Sequence, residues 1–178
     1  MYRIECLNIN HINEMKETSV FIVTKPLQYF NATNISVIGE KICIIINRFN
    51  SAHIIFNSIK KHSLYWDQVI FFEKWQTAYS WVLGNKSKIN NLFIDTDNGF
   101  TKFIFLEKIY RSVNIFIYEE GIGNYRKSLG QKGLIGKLKI FIYNLMGNKD
   151  FLGGSKYIEG IYLYNIQEHK KIHPDCDK

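Results

Sequence analysis

The chain holds only two prolines, Pro26 and Pro174, among 178 residues. So little proline leaves few places for a long structureless linker. Its three cysteines, Cys6, Cys43 and Cys176, are scattered, and none belongs to a CxxC pair. An odd, dispersed set argues against a disulfide framework and fits a reducing cytoplasm. Cys43 lies inside the run ICIII, where a thiol behaves as a small hydrophobe. No apolar run is long enough to span a bilayer, and the opening MYRIECLNINHINEMKET has no signal-peptide core. Work at the inner membrane is therefore expected from its surface, as a peripheral contact with anionic lipid, or through a partner. There is no GxGxxG and no P-loop, and Gly121-Ile122-Gly123 lacks the third glycine, so dinucleotide binding is not expected. No recognition motif supports nucleic acid as a partner.

What the chain has is charge of one sign and aromatic bulk. The net charge is +7, and aromatics reach 15%, with 13 Phe and 11 Tyr. A basic surface attracts phosphates, acidic sugars and anionic lipid without choosing among them.

Short apolar runs alternate with amphipathic ones. Residues 19–23 (SVFIV), 41–46 (KICIII), 68–72, 92–95 (LFID), 113–118 (VNIFIY) and 161–164 (IYLY) read as strands. Continuous β-branched runs are those of strands covered on both sides. Helices are predicted from Pro26 to about Val37, from a cap at Asn50-Ser51 to about Lys61, over 75–83, from Asp97-Asn98 through Ile109, and over 134–146. The alternation predicts an α/β fold: a Rossmann-like parallel sheet of five or six strands with helices on both faces. Residues 1–18 read as an N-terminal extension and 19–165 as the lobe. Residues 166–178 read as a polar tail, or the start of a second lobe.

In such a sheet the functional rim lies beyond the carboxyl ends of the strands. The most informative rim segment is Glu119-Glu120-Gly121, directly after the fifth strand. Neighbours on an extended chain point in opposite directions, so one glutamate is expected to face a cleft and the other the scaffold. A carboxylate at a cleft mouth can take a proton from an attacking hydroxyl.

Three other clusters carry candidate chemistry. Asp95-Thr96-Asp97 follows the fourth strand and offers hard oxygen ligands for Mg²⁺ or Mn²⁺; a helix N-cap is the favoured reading. His169, His173 and Cys176 could bind a metal, but Pro174 disfavours helix at His173, and a solvated tail is favoured. Arg126, Lys127, Lys132, Lys137 and Lys139 flank a helix whose Leu134, Leu138, Phe141 and Leu145 form one stripe. That stripe is expected to pack into the core, with the basic face left for an acidic glycan or an anionic membrane.

The stretch IFIYEEGIGNYR (residues 115–126) resembles the acid-acid-glycine motif of bacterial sialyltransferases and polysialyltransferases. FIVTKPLQYFNA (residues 21–32) resembles their first strand-turn-helix, and FLGGSKYIEGIYLYN (residues 151–165) a downstream piece of capsule-type members. The resemblance implies one lobe of a GT-B architecture, two Rossmann-like lobes facing across a cleft. It implies an enzyme of capsule or lipooligosaccharide synthesis that moves a sialic acid-like sugar from a CMP-linked donor to a glycan acceptor, without a metal. The first acid of the motif, Glu119, would be the general base. Thr24, Lys25, Gln28, Glu120, Gly121, Gly123, Tyr125 and Arg126 would line the acceptor side. The family's second lobe supplies a histidine from a His-Pro pair. The pair present here, His173-Pro174, comes earlier in the chain, and an incidental pair at the lobe boundary is the favoured reading. The alternatives kept open are a non-catalytic lobe binding an acidic glycan or a partner, homo-oligomeric or otherwise, and a metal-dependent transferase using Asp95 and Asp97.

Overall fold

A computed structural model describes residues 17–128, 133–174 and 176. Most of the expected N-terminal extension lies outside them. Six strands form one parallel sheet: β1 (Thr18–Val23), β2 (Glu40–Ile46), β3 (Gln68–Phe72), β4 (Asn91–Ile94), β5 (Asn114–Tyr118) and β6 (Gly160–Tyr162). Their order across the sheet is β3-β2-β1-β4-β5-β6. The chain winds outward from β1 in one direction, returns, and winds outward in the other. This is the doubly wound arrangement the alternating pattern predicts.

Side-chain alternation along the strands divides the core in two. On one face Val20, Ile22, Ile44, Leu92, Ile94, Ile115 and Ile117 pack with α3 (Trp75–Asn85) and α4 (Phe100–Ile109) through Ala78, Val82, Phe105 and Leu106. On the other, Phe21, Val23, Cys43, Ile45, Phe93 and Tyr118 pack with α1 (Pro26–Thr33) and α2 (Ala52–His62) through Ala32, Ala52 and Ile59. Phe21 stacks on Phe93 with ring centroids 4.2 Å apart, fixing β1 against β4 at the sheet centre. Cys43 is fully buried, as its apolar setting predicts, and burial pushes its thiol far above the ordinary range.

Several element ends differ from the sequence reading. α1 stops at Thr33 rather than near Val37, because Asn34 caps it with its amide on the Phe30 carbonyl at 2.9 Å and Ile35 turns into the core. α4 begins at Phe100, with Gly99 at φ 106° before it, so Asp97 is not its cap. Asp97 is buried and accepts the backbone N–H groups of Gly153 and Ser155 at 3.0 and 2.8 Å. Gly153 sits at φ 84°, a conformation that needs glycine, and a Cβ there would collide with Ile161.

Two expectations are overturned. The stripe Leu134, Leu138, Phe141 and Leu145 of α5 (Gly133–Leu145) is exposed, not core. On the opposite side Gly136 is buried and Ile140 and Tyr143 are half-buried. Residues 136, 140 and 143 keep helical spacing two positions out of phase with the outer stripe, which is about 200° around the helix. Nor is the stretch after β6 a solvated tail. It forms α6 (Ile166–Ile172), capped by the Asn165 side chain accepting from the Glu168 N–H at 3.1 Å. His169, His173 and Cys176 are buried. His173 stacks on Phe151 at 4.1 Å and its ring N–H meets the Arg126 carbonyl at 3.0 Å. Polar letters concealed flat, partly apolar rings that suit an aromatic neighbour. Pro174 does end the helix, since His173 has already left helical geometry. No helix among the described residues is long and apolar enough to cross a membrane.

Candidate functional site

β1 and β4 lie side by side, yet their following helices go to opposite faces, α1 to one and α4 to the other. The connecting loops therefore part above the sheet, and a crevice opens between them. It measures about 510 Å³. Thr24 and Lys25 reach it from the end of β1, and Ile46 and Arg48 from the end of β2. Trp75 and Tyr79 of α3 form one wall, the segment from Asp95 to Lys102 another, and Glu120 approaches from beyond β5.

A buried ion pair organises the floor. Asp95 meets the Lys102 ammonium, seven residues on in α4, and Lys102 also donates to the Thr96 carbonyl at 2.9 Å. The second Asp95 oxygen takes the Gln28 amide at 3.2 Å and the Thr24 hydroxyl at 3.2 Å. The Gln28 carbonyl accepts the Thr24 N–H at 2.6 Å. Burial pushes the Asp95 carboxyl up, but Lys102, Gln28 and Thr24 outweigh it and hold the group below the usual carboxylate range. Burial pulls the Lys102 ammonium down, Asp95 more than restores it, and its pKa ends above the ordinary lysine value. Gln28 thus lies beneath the crevice as a brace, while Thr24 and Lys25 line it. Arg48 is exposed at the rim and has no ion-pair partner among the described residues.

The two glutamates point apart, as an extended chain requires. Glu120 faces the large crevice, where its carboxylate meets the Lys25 ammonium at 2.7 Å. Its backbone N–H donates to Asn124 Oδ1 at 3.0 Å, closing the turn Ile122–Tyr125 beneath it. Gly121 sits at φ 131°, which a side chain would resist. A Cβ on Gly123 would come within 3.0 Å of Glu120 Oε1, so the motif's glycines give this carboxylate its room.

Glu119 faces a second cavity, of about 420 Å³, bordered by Asn31, Asn34, Tyr162 and Tyr164. Its Oε2 accepts the Tyr125 hydroxyl at 2.7 Å and the Tyr164 backbone N–H at 2.9 Å. Its main chain is tied on both sides: the N–H to Tyr162 O at 2.9 Å, and the carbonyl to the Asn31 amide at 2.7 Å. Oε1 carries no hydrogen bond among the described residues. Burial and the bond to Glu119 push the Tyr125 hydroxyl up to about 12. Asn31 and Asn34 both bond the Tyr164 hydroxyl, at 3.1 Å each. Beneath the rim Tyr118 is wholly buried and donates to the Ile22 carbonyl at 2.6 Å, locking the end of β5 to β1.

The structure thus joins Thr24, Lys25 and Glu120 around one cavity and places Glu119, with Tyr125 at its back, beside another. Gly121 and Gly123 shape the loop between them. Arg126 is exposed, and its carbonyl receives His173. His173 lines neither cavity. Asp95 and Asp97 do not converge: one serves the crevice floor, the other the 153–155 loop. Their oxygens meet an ammonium and backbone N–H groups, which is not a paired ligand set for a cation. Among the described residues no group of three His, Cys, Asp or Glu is placed to hold a metal.

Sequence reasoning missed Arg48, Trp75, Tyr79 and Lys102. Arg48 was within reach, since it follows the second strand by two positions and so must lie on the rim. Trp75, Tyr79 and Lys102 come from helices, and only packing decides which helical face looks into a crevice. Compared with known proteins, the chain matches no family model and no curated sequence.

Proposed function

We propose that this chain is the acceptor-side lobe of a sialyltransferase-like glycosyltransferase of GT-B architecture, with Glu119 as its general base. The observation that carries the reading is the held carboxylate at the end of β5. Two donors fix Oε2 of Glu119, and among the described residues Oε1 has no hydrogen-bond partner, beside a cavity of about 420 Å³. A base needs this combination of fixed position and one open oxygen. The cavity wall supports a sugar ligand: exposed Asn34 brings an amide oxygen for hydroxyl groups, and Tyr162 and Tyr164 offer ring faces.

In the proposed reaction an acceptor hydroxyl gives its proton to Oε1 as its oxygen bonds to the anomeric carbon of the donor sugar. The bond from that carbon to the phosphate oxygen breaks, and CMP leaves with the electron pair. Contacts to the nucleotide and the leaving phosphate come from a second lobe. Arg48 at the rim of the larger crevice, with no ionic partner among the described residues, suits an acidic part of the acceptor glycan. Capsule and lipooligosaccharide synthesis are the settings the sequence resemblance suggests.

The test has two arms. Backbone amide NMR of the full chain, titrated with neutral and sialylated oligosaccharides, should shift signals around Asn31, Tyr162 and Tyr164. Transfer of labelled sialic acid from CMP-sialic acid, assayed in cells expressing the gene, should fall about 10²–10⁴-fold in Glu119→Gln. Binding without any transfer, in wild type and variant alike, would mean a glycan-binding lobe. Undiminished transfer in Glu119→Gln, or no shift near the cavity, sinks the proposal.

A further inference from the structure

We propose that the outer face of α5 seats this protein on the surface of an anionic bilayer. Leu134, Leu138, Phe141 and Leu145 are 85%, 58%, 59% and 73% exposed, and Ile142 beside them is 45% exposed. They recur at the spacing of a single helical face. What burial the helix has falls on the opposite face, at Gly136, Ile140 and Tyr143. The outer stripe is therefore surplus to the fold. A contiguous apolar strip of this kind on a water-facing helix marks an interaction surface.

Charge identifies the occupant. Between residues 126 and 149 the chain carries Arg126, Lys127, Lys132, Lys137, Lys139 and Lys149, and no aspartate or glutamate. Arg126, Lys127, Lys137 and Lys149 are exposed. An isologous pairing of two copies through this face would set like charges against like. A sheet of anionic headgroups over an apolar interior complements both features at once: leucines and phenylalanine enter the acyl boundary, and lysines meet the headgroups. The proposal does not depend on the reaction assigned to Glu119, since α5 borders neither of the cavities used there.

Co-sedimentation of the full chain with vesicles of phosphatidylcholine plus phosphatidylglycerol tests this directly. Binding is expected to anionic vesicles, to weaken with added salt, and to be far weaker on pure phosphatidylcholine. Lys137→Gln should lower partitioning about fivefold. Phe141→Ser with Leu145→Ser should lower it more than tenfold, on the order expected for two apolar side chains left in water. Both changes are at exposed positions, so an unchanged far-UV circular dichroism spectrum verifies the fold. The proposal fails if anionic vesicles leave the protein in solution, or if the double serine variant partitions like wild type. It also fails if the protein sediments without lipid as a dimer that the same serines dissolve, because the face then belongs to a second copy.

Discussion

The Tyr125 hydroxyl donates to Oε2 of Glu119 at 2.7 Å, and the Tyr125 hydroxyl oxygen accepts the Asn165 backbone N–H at 3.1 Å. One phenol therefore holds the candidate base and the first turn of α6 together. In Tyr125→Phe both links vanish, while the ring stays. Stability is expected to fall by about 1–2 kcal/mol in urea unfolding. Amide exchange should quicken at Asn165 and along α6. Unaltered exchange there would show that the hydroxyl does not bind α6 to the rim.

The Asp95–Lys102 pair gives a sharper expectation. Both charges are largely out of water, so removing one strands the other. Lys102→Met should destabilise the protein by about 3–5 kcal/mol. Adding Asp95→Asn should recover part of that loss, because the orphaned charge is gone. A double-mutant cycle in urea reads the coupling, and a strictly additive result would mean that the pair does not act as a unit.

Asp97, a candidate cation ligand by its sequence spacing, serves as a brace. Replacing it by alanine removes the carboxylate to which the buried N–H groups of Gly153 and Ser155 donate. The expected loss is about 2–4 kcal/mol, with faster proteolysis within residues 147–156. Excess Mg²⁺ or Mn²⁺ should leave the thermal midpoint of the wild type unchanged.

The two buried histidines predict a pH dependence. Burial lowers the pKa of His169, and neighbouring His173 lowers it further. Burial also lowers His173, against the opposing pull of the Arg126 carbonyl. A histidine kept neutral by the fold takes up its proton more readily when the chain unfolds. Stability from this pair is thus complete above the ordinary histidine value of 6.5 and declines as pH falls through it. Thermal midpoints measured from pH 8 down to pH 5 should fall most steeply below that value, and His173→Phe should flatten the decline.

What the sequence disclosed follows from how local each signal is. The strand at 41–46 was visible because a continuous, largely β-branched run has one stable use between two layers of helices. The opposed directions of Glu119 and Glu120 followed from strand geometry alone, though not which glutamate would take the larger crevice. That choice depends on Lys25, 95 residues away in sequence. The α5 stripe misled because an apolar face says only that water is disfavoured, not what replaces it. The burial went to the face that carries Gly136, Ile140 and Tyr143. His169 and His173 were hidden by a polar neighbourhood, since their burial depends on Phe151 arriving from another loop.

The central position of β1 also shapes how the molecule must be made. Ser19 pairs with Lys41 on one flank and with Asn91 on the other. At ribosomal speeds of about 5–20 residues per second, the chain between 19 and 91 takes roughly 4–14 seconds to emerge. Throughout that interval the flank of β1 that will receive β4 is an open edge of Val20, Phe21 and Ile22. Parallel pairing over such a span is slow in any setting. Nascent chains stalled before residue 91 are accordingly the form of this protein most apt to aggregate and most in need of a chaperone.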